Sequence, residues 1–512
     1  MPRASVASRL LAVEPYAIVF LASGTTLILE IVAARILAPY IGVSVYTWTS
    51  IIGVILAGIS LGNWTGGVFA DRWGSRTMLG LLLLLGAAAT VVVPVLTNWV
   101  PGWVGGLPIL WRIVLLTLGL FFVPSFLLAM VSPVVIKLTL RDLNKAGSVA
   151  GRIYAVSTAG AILGTFLTGF VLVQAFGSQP TVFGLAAVLA MLGVVAGRLW
   201  RPRRATLAGI AVLALAGGVA AANDPLRSAC VEESSYYCIK VIKTERDGVE
   251  VRELILDQLV HSYIKLDDPT HLEYGYQKLF AELVLSYVAP ERPEFRALFV
   301  GGGGYELPRY LETVYPESRL EVIEIDPAVT QVAHDELGFR ADTSVVSYNE
   351  DARMSITERP LGEYDIVVGD AFNDVSVPWH LTTREFNEEV RGLLRPGGFY
   401  TMNIVDAPAS GRFLRAVVLT LRESWPHVYV LNQTGNLTAP QRSTTVVVAS
   451  DREINETFIR VHAARVQPEL PVTRVVAEAD VDRWMGDVEA VVLTDDFAPV
   501  DNYLAPLYLE SR

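Results

Sequence analysis

Seven stretches of the chain run almost unbroken in apolar residues: 15–37, 46–70, 78–96, 110–135, 153–176, 181–196 and 206–222. A helix needs roughly 17 to 25 such residues to cross the hydrocarbon of a bilayer. The pattern therefore predicts about seven transmembrane helices, forming a helical domain over 1–223. The first run carries Glu30 and Arg35 and lacks a short signal-type core, so it reads as a retained span. Past residue 223 the apolar period changes. Runs 236–243 and 249–256 are rich in β-formers and flank Glu245-Arg246-Asp247-Gly248, where Asp-Gly predicts a hairpin. From 297 onward, strand-like runs at 297–300, 320–325, 365–368, 399–404, 427–431 and 444–448 alternate with helix-compatible stretches. Such alternation predicts a doubly wound α/β sheet. A small β-rich subdomain and linker is expected over 224–290, and a Rossmann-like domain over 291–512.

Composition and charge sharpen that division. The 512 residues are 52% hydrophobic, more apolar than an ordinary water-soluble chain of this length. Residues 1–205 hold 14 Lys and Arg against 4 Asp and Glu, a net +10, and the remaining 27 basic and 48 acidic residues leave −21. An acidic second half argues against nucleic acid as a partner, because phosphate binding needs clustered Lys and Arg. The basic residues fall in alternate connections: Arg3 and Arg9, then Arg72 and Arg76, then Lys137, Arg141, Lys145 and Arg152, then Arg198, Arg201, Arg203 and Arg204. Lys and Arg accumulate in cytoplasmic loops. This predicts a multi-pass protein of the cell's inner (plasma) membrane with a cytoplasmic N-terminus. If the seventh run also spans, everything from Asn223 onward lies outside.

The two cysteines, Cys230 and Cys238, lie just past that last run. In an oxidising compartment they close a small disulfide loop; the plainer reading is two unrelated buried thiols. No neighbouring His or Cys completes a metal-site spacing, so no metal is expected.

Candidate chemistry begins at Ala297-Leu298-Phe299-Val300-Gly301-Gly302-Gly303-Gly304. Four glycines after a strand let the backbone turn tightly and approach a ligand, although such a turn can equally serve strand-to-helix packing. Glu324 ends the next strand-like run, where a carboxylate accepts hydrogen bonds from ribose hydroxyls. Asp351-Ala352 follows the third strand, and Asp370 ends the fourth in Tyr364-Asp365-Ile366-Val367-Val368-Gly369-Asp370. Ligands of such sheets collect outside the carboxyl ends of the strands.

In this order the motifs resemble spermidine synthase and related polyamine aminopropyltransferases, on a class I methyltransferase-type fold, over about 235–450. The resemblance implies that Gly301, Gly302 and Gly303 line a sulfonium nucleoside, that Glu324 holds its ribose, and that Asp351, with Ala352, meets the adenine. The co-substrate implied is decarboxylated S-adenosylmethionine, with S-adenosylmethionine itself as the alternative, and Asp370 is the implied catalytic carboxylate facing a small-molecule amine. Leu256-Asp257-Gln258-Leu259-Val260-His261 and Tyr274-Gly275-Tyr276 resemble the family's substrate-pocket segment, so His261, Tyr276 and Asp374 are the implied amine-binding residues.

Departures from the family pattern stand beside the matches. The family's Gly-Gly-Gly-Asp-Gly-Gly loop has Gly304-Tyr305 at its acidic position and the next, and Asp370-Ala371-Phe372-Asn373-Asp374 shifts the second acid by one residue. Gln277-Lys278 replaces a usual His-Glu. In the apolar half, Gly67-Val68-Phe69-Ala70-Asp71-Arg72-Trp73-Gly74-Ser75-Arg76 resembles the signature loop of major facilitator transporters, whose halves have six spans. A lone half has no second repeat to rock against; a homodimer through the transmembrane domain supplies one, and a plain anchor needs none. Glu30 and Arg35 read as a helix-end pair, with function the alternative. Leu493-Thr494-Asp495-Asp496-Phe497-Ala498-Pro499 resembles a closing segment of membrane-fused spermidine synthase-like proteins, its acids either completing the amine site or solvating the terminus. Three activities stay open: aminopropyl transfer, methyl transfer, and binding of polyamine or nucleoside by a transporter or sensor without turnover.

Overall fold

A computed structural model describes residues 6–199, 211, 213–218, 230–246, 248–371 and 377–510. The chain separates into two compact units, Met1–Ala229 with Glu233–Cys238, and Cys230–Glu232 with Ile239–Ser511.

Six helices of the first unit are long and apolar enough to cross a membrane: Glu14–Ile41, Val45–Trp73, Arg76–Leu96, Ile109–Thr139, Leu143–Phe176 and Ser178–Gly197. They cover six of the seven runs expected from sequence. The seventh, 206–222, lies largely outside the described residues, so the count among the described residues is six. Serines start two of these helices: Ser44 Oγ accepts from the Thr47 amide at 3.2 Å, and Ser75 Oγ from the Met78 amide at 3.2 Å. Around the Gly67–Arg76 motif, Asp71 pairs with Lys137 at 3.0 Å and Arg76 with Glu14 at 2.5 Å, linking the ends of four spans.

Small residues set how closely the spans pack. A Cβ on Gly80 would lie 2.6 Å from the Cα of Gly197, and one on Gly164 would lie 2.6 Å from the Gly24 carbonyl oxygen. A Cβ on Gly66 would lie 2.7 Å from the Met130 Cα. Helices whose neighbours are as apolar as lipid associate through such close backbone approach. The outward faces are apolar too, with Trp64, Phe170 and Met191 each 70% exposed. Arg35 does not pair with Glu30, as the sequence suggested. Its guanidinium lies 3.4 Å from Glu233 and donates to the carbonyls of Ser234 and Ser235, because a cation near a helix end reaches the carboxylate and backbone oxygens presented there.

The second unit contains two sheets. The smaller has the order β1-β2-β3-β4, with β1 Glu232–Glu233, β2 Cys238–Arg246, β3 Val249–Leu256 and β4 Leu259–Ile264. β2 and β3 pair antiparallel from Ile239↔Leu256 to Arg246↔Val249 across the turn containing Gly248, whose φ is +81°. At the head of this sheet Cys230 and Cys238 are joined in a disulfide.

The larger sheet has eight strands in the order β12-β10-β11-β9-β8-β5-β6-β7. They are β5 Arg296–Val300, β6 Arg319–Ile323, β7 Val346–Tyr348, β8 Tyr364–Gly369, β9 Leu394–Asp406, β10 His427–Asn432, β11 Ser443–Ser450 and β12 Arg474–Val475. β5 to β9 pair in parallel and β11 runs antiparallel to β9, which is the class I methyltransferase-type arrangement. The order reverses at β5, between β6 and β8, so the crevice outside its carboxyl end is where ligands of open α/β sheets bind. Helices Arg384–Leu393 and Arg412–Ser424 cover the sheet around a core of Tyr364, Phe386, Tyr400, Phe413 and Leu421. Arg415 is wholly buried within it and donates to the carbonyls of Trp484 at 3.0 Å and Gly411 at 2.6 Å. A buried cation survives only when its donors are taken up in this way.

Candidate functional site

The glycine turn is built by what surrounds it. Gly301 follows β5 with φ +101°, and a Cβ there would fall 2.5 Å from the Asp370 carbonyl oxygen. Only glycine allows β5 and β8 to end that close together. Gly303 has φ +49° and Tyr305 +56°. A left-handed tyrosine is strained; here the buried ring stacks on Phe339 at 4.3 Å between centroids, and its hydroxyl meets Thr330 Oγ1 at 2.9 Å. The turn thus ends in a locked aromatic residue.

Glu324, just past β6, is 6% exposed and closes over this turn. Its Oε2 accepts from the amides of Gly302 at 2.8 Å and Gly303 at 3.3 Å, and its Oε1 from the Asp326 amide at 3.0 Å. Burial raises its pKa, and these amides pull it back down. Asp351 is exposed at the start of helix Ala352–Ser355, where its Oδ1 accepts from the Arg353 amide at 2.8 Å. Ala352 is buried behind it.

Asp370 ends β8, partly buried, and its Oδ1 accepts from Asn403 Nδ2 of β9 at 2.8 Å. Burial pushes its pKa up to about 6, against the opposing hydrogen bonds from Asn403 and from Tyr276. Tyr276 is 9% exposed, and its hydroxyl accepts from Gln277 Nε2 at 3.4 Å. The rings of Tyr263, Tyr274 and Tyr276 follow one another at 4.9 and 5.3 Å. His261 precedes this aromatic row on β4, its pKa lowered to about 4 by burial and by Arg442. It is therefore neutral in the physiological range. Asp374 lies outside the described residues.

Glycines 301 to 303, Glu324, Asp351 and Asp370 thus stand at the carboxyl ends of four adjacent strands, with Tyr276 at Asp370. Three participants were not singled out from sequence. Asn403 orients Asp370; a buried amide inside the apolar run of β9 is the signal that could have found it. Glu306, 4% exposed, begins the helix after the turn. Arg353, next to the Asp351-Ala352 pair, binds Asp495 at 2.6 Å, and Thr383 donates to the same carboxylate at 2.7 Å. The Leu493–Pro499 tail therefore braces the Asp351 segment through Asp495. Buried polar atoms here without a hydrogen-bond partner among the described residues include Asn403 Oδ1, His261 Nε2, Gln277 Oε1 and Glu306 Oε2. In a packed interior such atoms are normally satisfied, so the arrangement suits a polar ligand.

No family model matches the chain. A polyamine aminopropyltransferase of Vibrio vulnificus is 31% identical over 223 residues, covering 41% of this chain and 70% of that protein. Polyamine aminopropyltransferase 2 of Streptomyces coelicolor is 25% identical over 431 residues, 79% of this chain and 76% of its own length. That alignment is longer than the second unit and so extends into the apolar helices. A solved probable spermidine synthase from Corynebacterium glutamicum is 23% identical, covering 51% of this chain and 94% of that one at a TM-score of 0.45. On the first of these likenesses, taken over 70% of the relative's length, this chain belongs to the polyamine aminopropyltransferase family.

Proposed function

We propose that the second unit transfers the aminopropyl group of decarboxylated S-adenosylmethionine to a small-molecule amine, releasing 5'-methylthioadenosine. Asp370 carries this reading: a carboxylate raised to about 6, oriented by Asn403 and Tyr276 beside the glycine turn. In the transfer, the amine nitrogen forms a bond to the carbon next to sulfur, the carbon–sulfur bond breaks, and its electron pair stays on sulfur. The nitrogen must first present a lone pair, and Asp370 takes the proton that it sheds. A base with a pKa near 6 is ionised at neutral pH yet more basic than an ordinary aspartate. Glycines 301 to 303 would carry the nucleoside, Glu324 its ribose and Asp351 with Ala352 its adenine, while His261, Tyr276 and Asp374 would line the amine. Holding nitrogen, carbon and sulfur in line supplies much of the acceleration.

The test is to incubate purified full-length protein with decarboxylated S-adenosylmethionine or S-adenosylmethionine and a panel of amines, and to identify products by mass. Aminopropylated amine from the decarboxylated donor alone is expected. A methylated product, or none from any pair, refutes the reading.

The first unit anchors this catalyst in the inner membrane, and the catalytic unit faces the oxidising side, a reading supported by the loop charges and by the Cys230–Cys238 disulfide. Both native cysteines are tied up, so a single engineered cysteine near Ser450 reports alone. Labelling of intact cells by an impermeant maleimide is expected; protection until lysis refutes the orientation.

A further inference from the structure

Glu30 is a carboxyl that neither an anchor nor the transfer reaction uses. It lies in the first span, Glu14–Ile41, whose 28 residues rise about 42 Å at about 1.5 Å each, against about 30 Å of hydrocarbon. Eleven residues short of Ile41, it stands about 10 Å inside the apolar layer, farther than a glutamate side chain reaches back to water. Arg35 is turned away from it, toward Glu233, Ser234 and Ser235. Glu30 is half-buried and has no hydrogen bond or ion pair among the described residues. The other charges on the spans around it stand at the two ends. Arg112 donates to the Tyr40 carbonyl at 2.9 Å near the Ile41 end, while Asp71, Arg72, Arg76, Lys137, Lys145 and Arg152 gather at the Glu14 end.

The neighbouring helix is specially shaped at this depth. The first and fifth spans run side by side in the same direction, with Gly160 against Phe20 and Gly164 against Gly24. The hydroxyls of Ser23 and Ser157 hydrogen-bond across the seam. Thr26 Oγ1 donates to the Ala22 carbonyl at 3.1 Å and Thr168 Oγ1 to the Gly164 carbonyl at 2.7 Å. Counted on from Gly24 and Gly164, Glu30 comes level with Thr168–Leu172, a turn of π-helix in which the Val173 amide bonds back to the Thr168 carbonyl, and the first span packs on that turn. Such wider turns interrupt the α-helical ladder and recur at functional sites.

A bare carboxylate is expensive at this depth, and a helix that only held the protein in the bilayer would carry an apolar residue there. We propose that Glu30 is a proton-binding site of the first unit, which takes up and releases a proton inside the bilayer at the seam of the first and fifth spans. The step is an acid dissociation: the O–H bond breaks, its electron pair stays on the carboxylate, and the proton passes to a hydroxyl or water along the seam. The first unit then does more than anchor, whatever reaction the second unit performs.

Carbodiimide labelling of the full-length protein in phosphatidylcholine vesicles tests this. Dicyclohexylcarbodiimide dissolves in lipid and adds to a protonated carboxyl, the acid proton going to a reagent nitrogen and the carboxyl oxygen to the central carbon, before rearrangement to a stable N-acylurea. Mass spectrometry of the peptides should find Glu30 labelled by this reagent and not by a water-soluble carbodiimide. Its labelling rate should fall about tenfold per pH unit once the acid dissociates, within the range from about pH 5 to about pH 9. Asp71, 75% exposed at the end of its span, should show the opposite preference between reagents. Glu30→Asp should still take the label, Glu30→Gln should lose it with an unchanged unfolding midpoint, and Asp370→Asn should label as the wild type does. No label on Glu30 across that range, a rate independent of pH, or equal labelling by both reagents overturns the proposal.

Discussion

The first unit closes several seams backbone against backbone, as at Gly160 on Phe20, Gly80 on Gly197 and Gly164 on Gly24, whereas the second spends buried polar side chains on backbone groups. Arg415 feeds the carbonyls of Trp484 and Gly411, and Glu282, wholly buried, accepts from the amides of Val472 at 2.6 Å and Thr473 at 3.1 Å. Asp406 likewise accepts from Leu414 at 2.9 Å. Helices in an apolar surround satisfy their own backbones and gain little from burying more apolar area, so shape governs their packing. A water-facing domain has loops and turns to satisfy, and it spends side chains on them. Around Asp370, buried polar atoms without partners among the described residues, such as Asn403 Oδ1 and Gln277 Oε1, mark a site.

This contrast can be broken from either side. Gly80→Leu forces a branched side chain into a seam with no room for a Cβ, and overpacking of this kind costs about 3 kcal/mol. Thermal unfolding in detergent should show the first unit failing early while the second unit still binds 5'-methylthioadenosine. Unchanged unfolding would remove the seam from the account. A smaller effect is expected at the brace on the Asp351 segment. Asp495→Asn leaves Arg353 with a neutral partner, and partly exposed pairs of this kind are worth up to about 1 kcal/mol. Nucleoside affinity should fall by about threefold to fivefold with kcat nearly unchanged. A loss confined to kcat would instead put Asp495 in the amine site.

Much of this was legible in the sequence, for reasons that differ between the units. Membrane-length runs need only composition and length, so six of the seven expected spans are recovered with ends shifted by a few residues, apart from the fifth, which begins at Leu143 rather than 153. In the second unit the glycine turn, Glu324, Asp351 and Asp370 were visible because each sits where a strand-like run ends. What the sequence hid depends on partners distant along the chain. Arg35 meets Glu233, 198 positions away, where Glu30 was expected. Arg353 meets Asp495 across 142 positions, and Asn403 meets Asp370 across 33. Tyr305 departs from the family's glycine at that position, and only the structure shows Phe339 and Thr330 holding its ring.

The account turns on Asp370 as the proton acceptor, and the pH dependence of kcat/KM for the wild type beside Asp370→Asn tests it most directly. Burial has raised this carboxyl to about 6, so it is ionised above that value and protonated below it. Wild-type kcat/KM should therefore fall about tenfold per pH unit below about pH 6. Asp370→Asn should lie at least about a hundredfold lower without that break, while binding 5'-methylthioadenosine as before. A variant with wild-type turnover, or one that retains the break near pH 6, would contradict it.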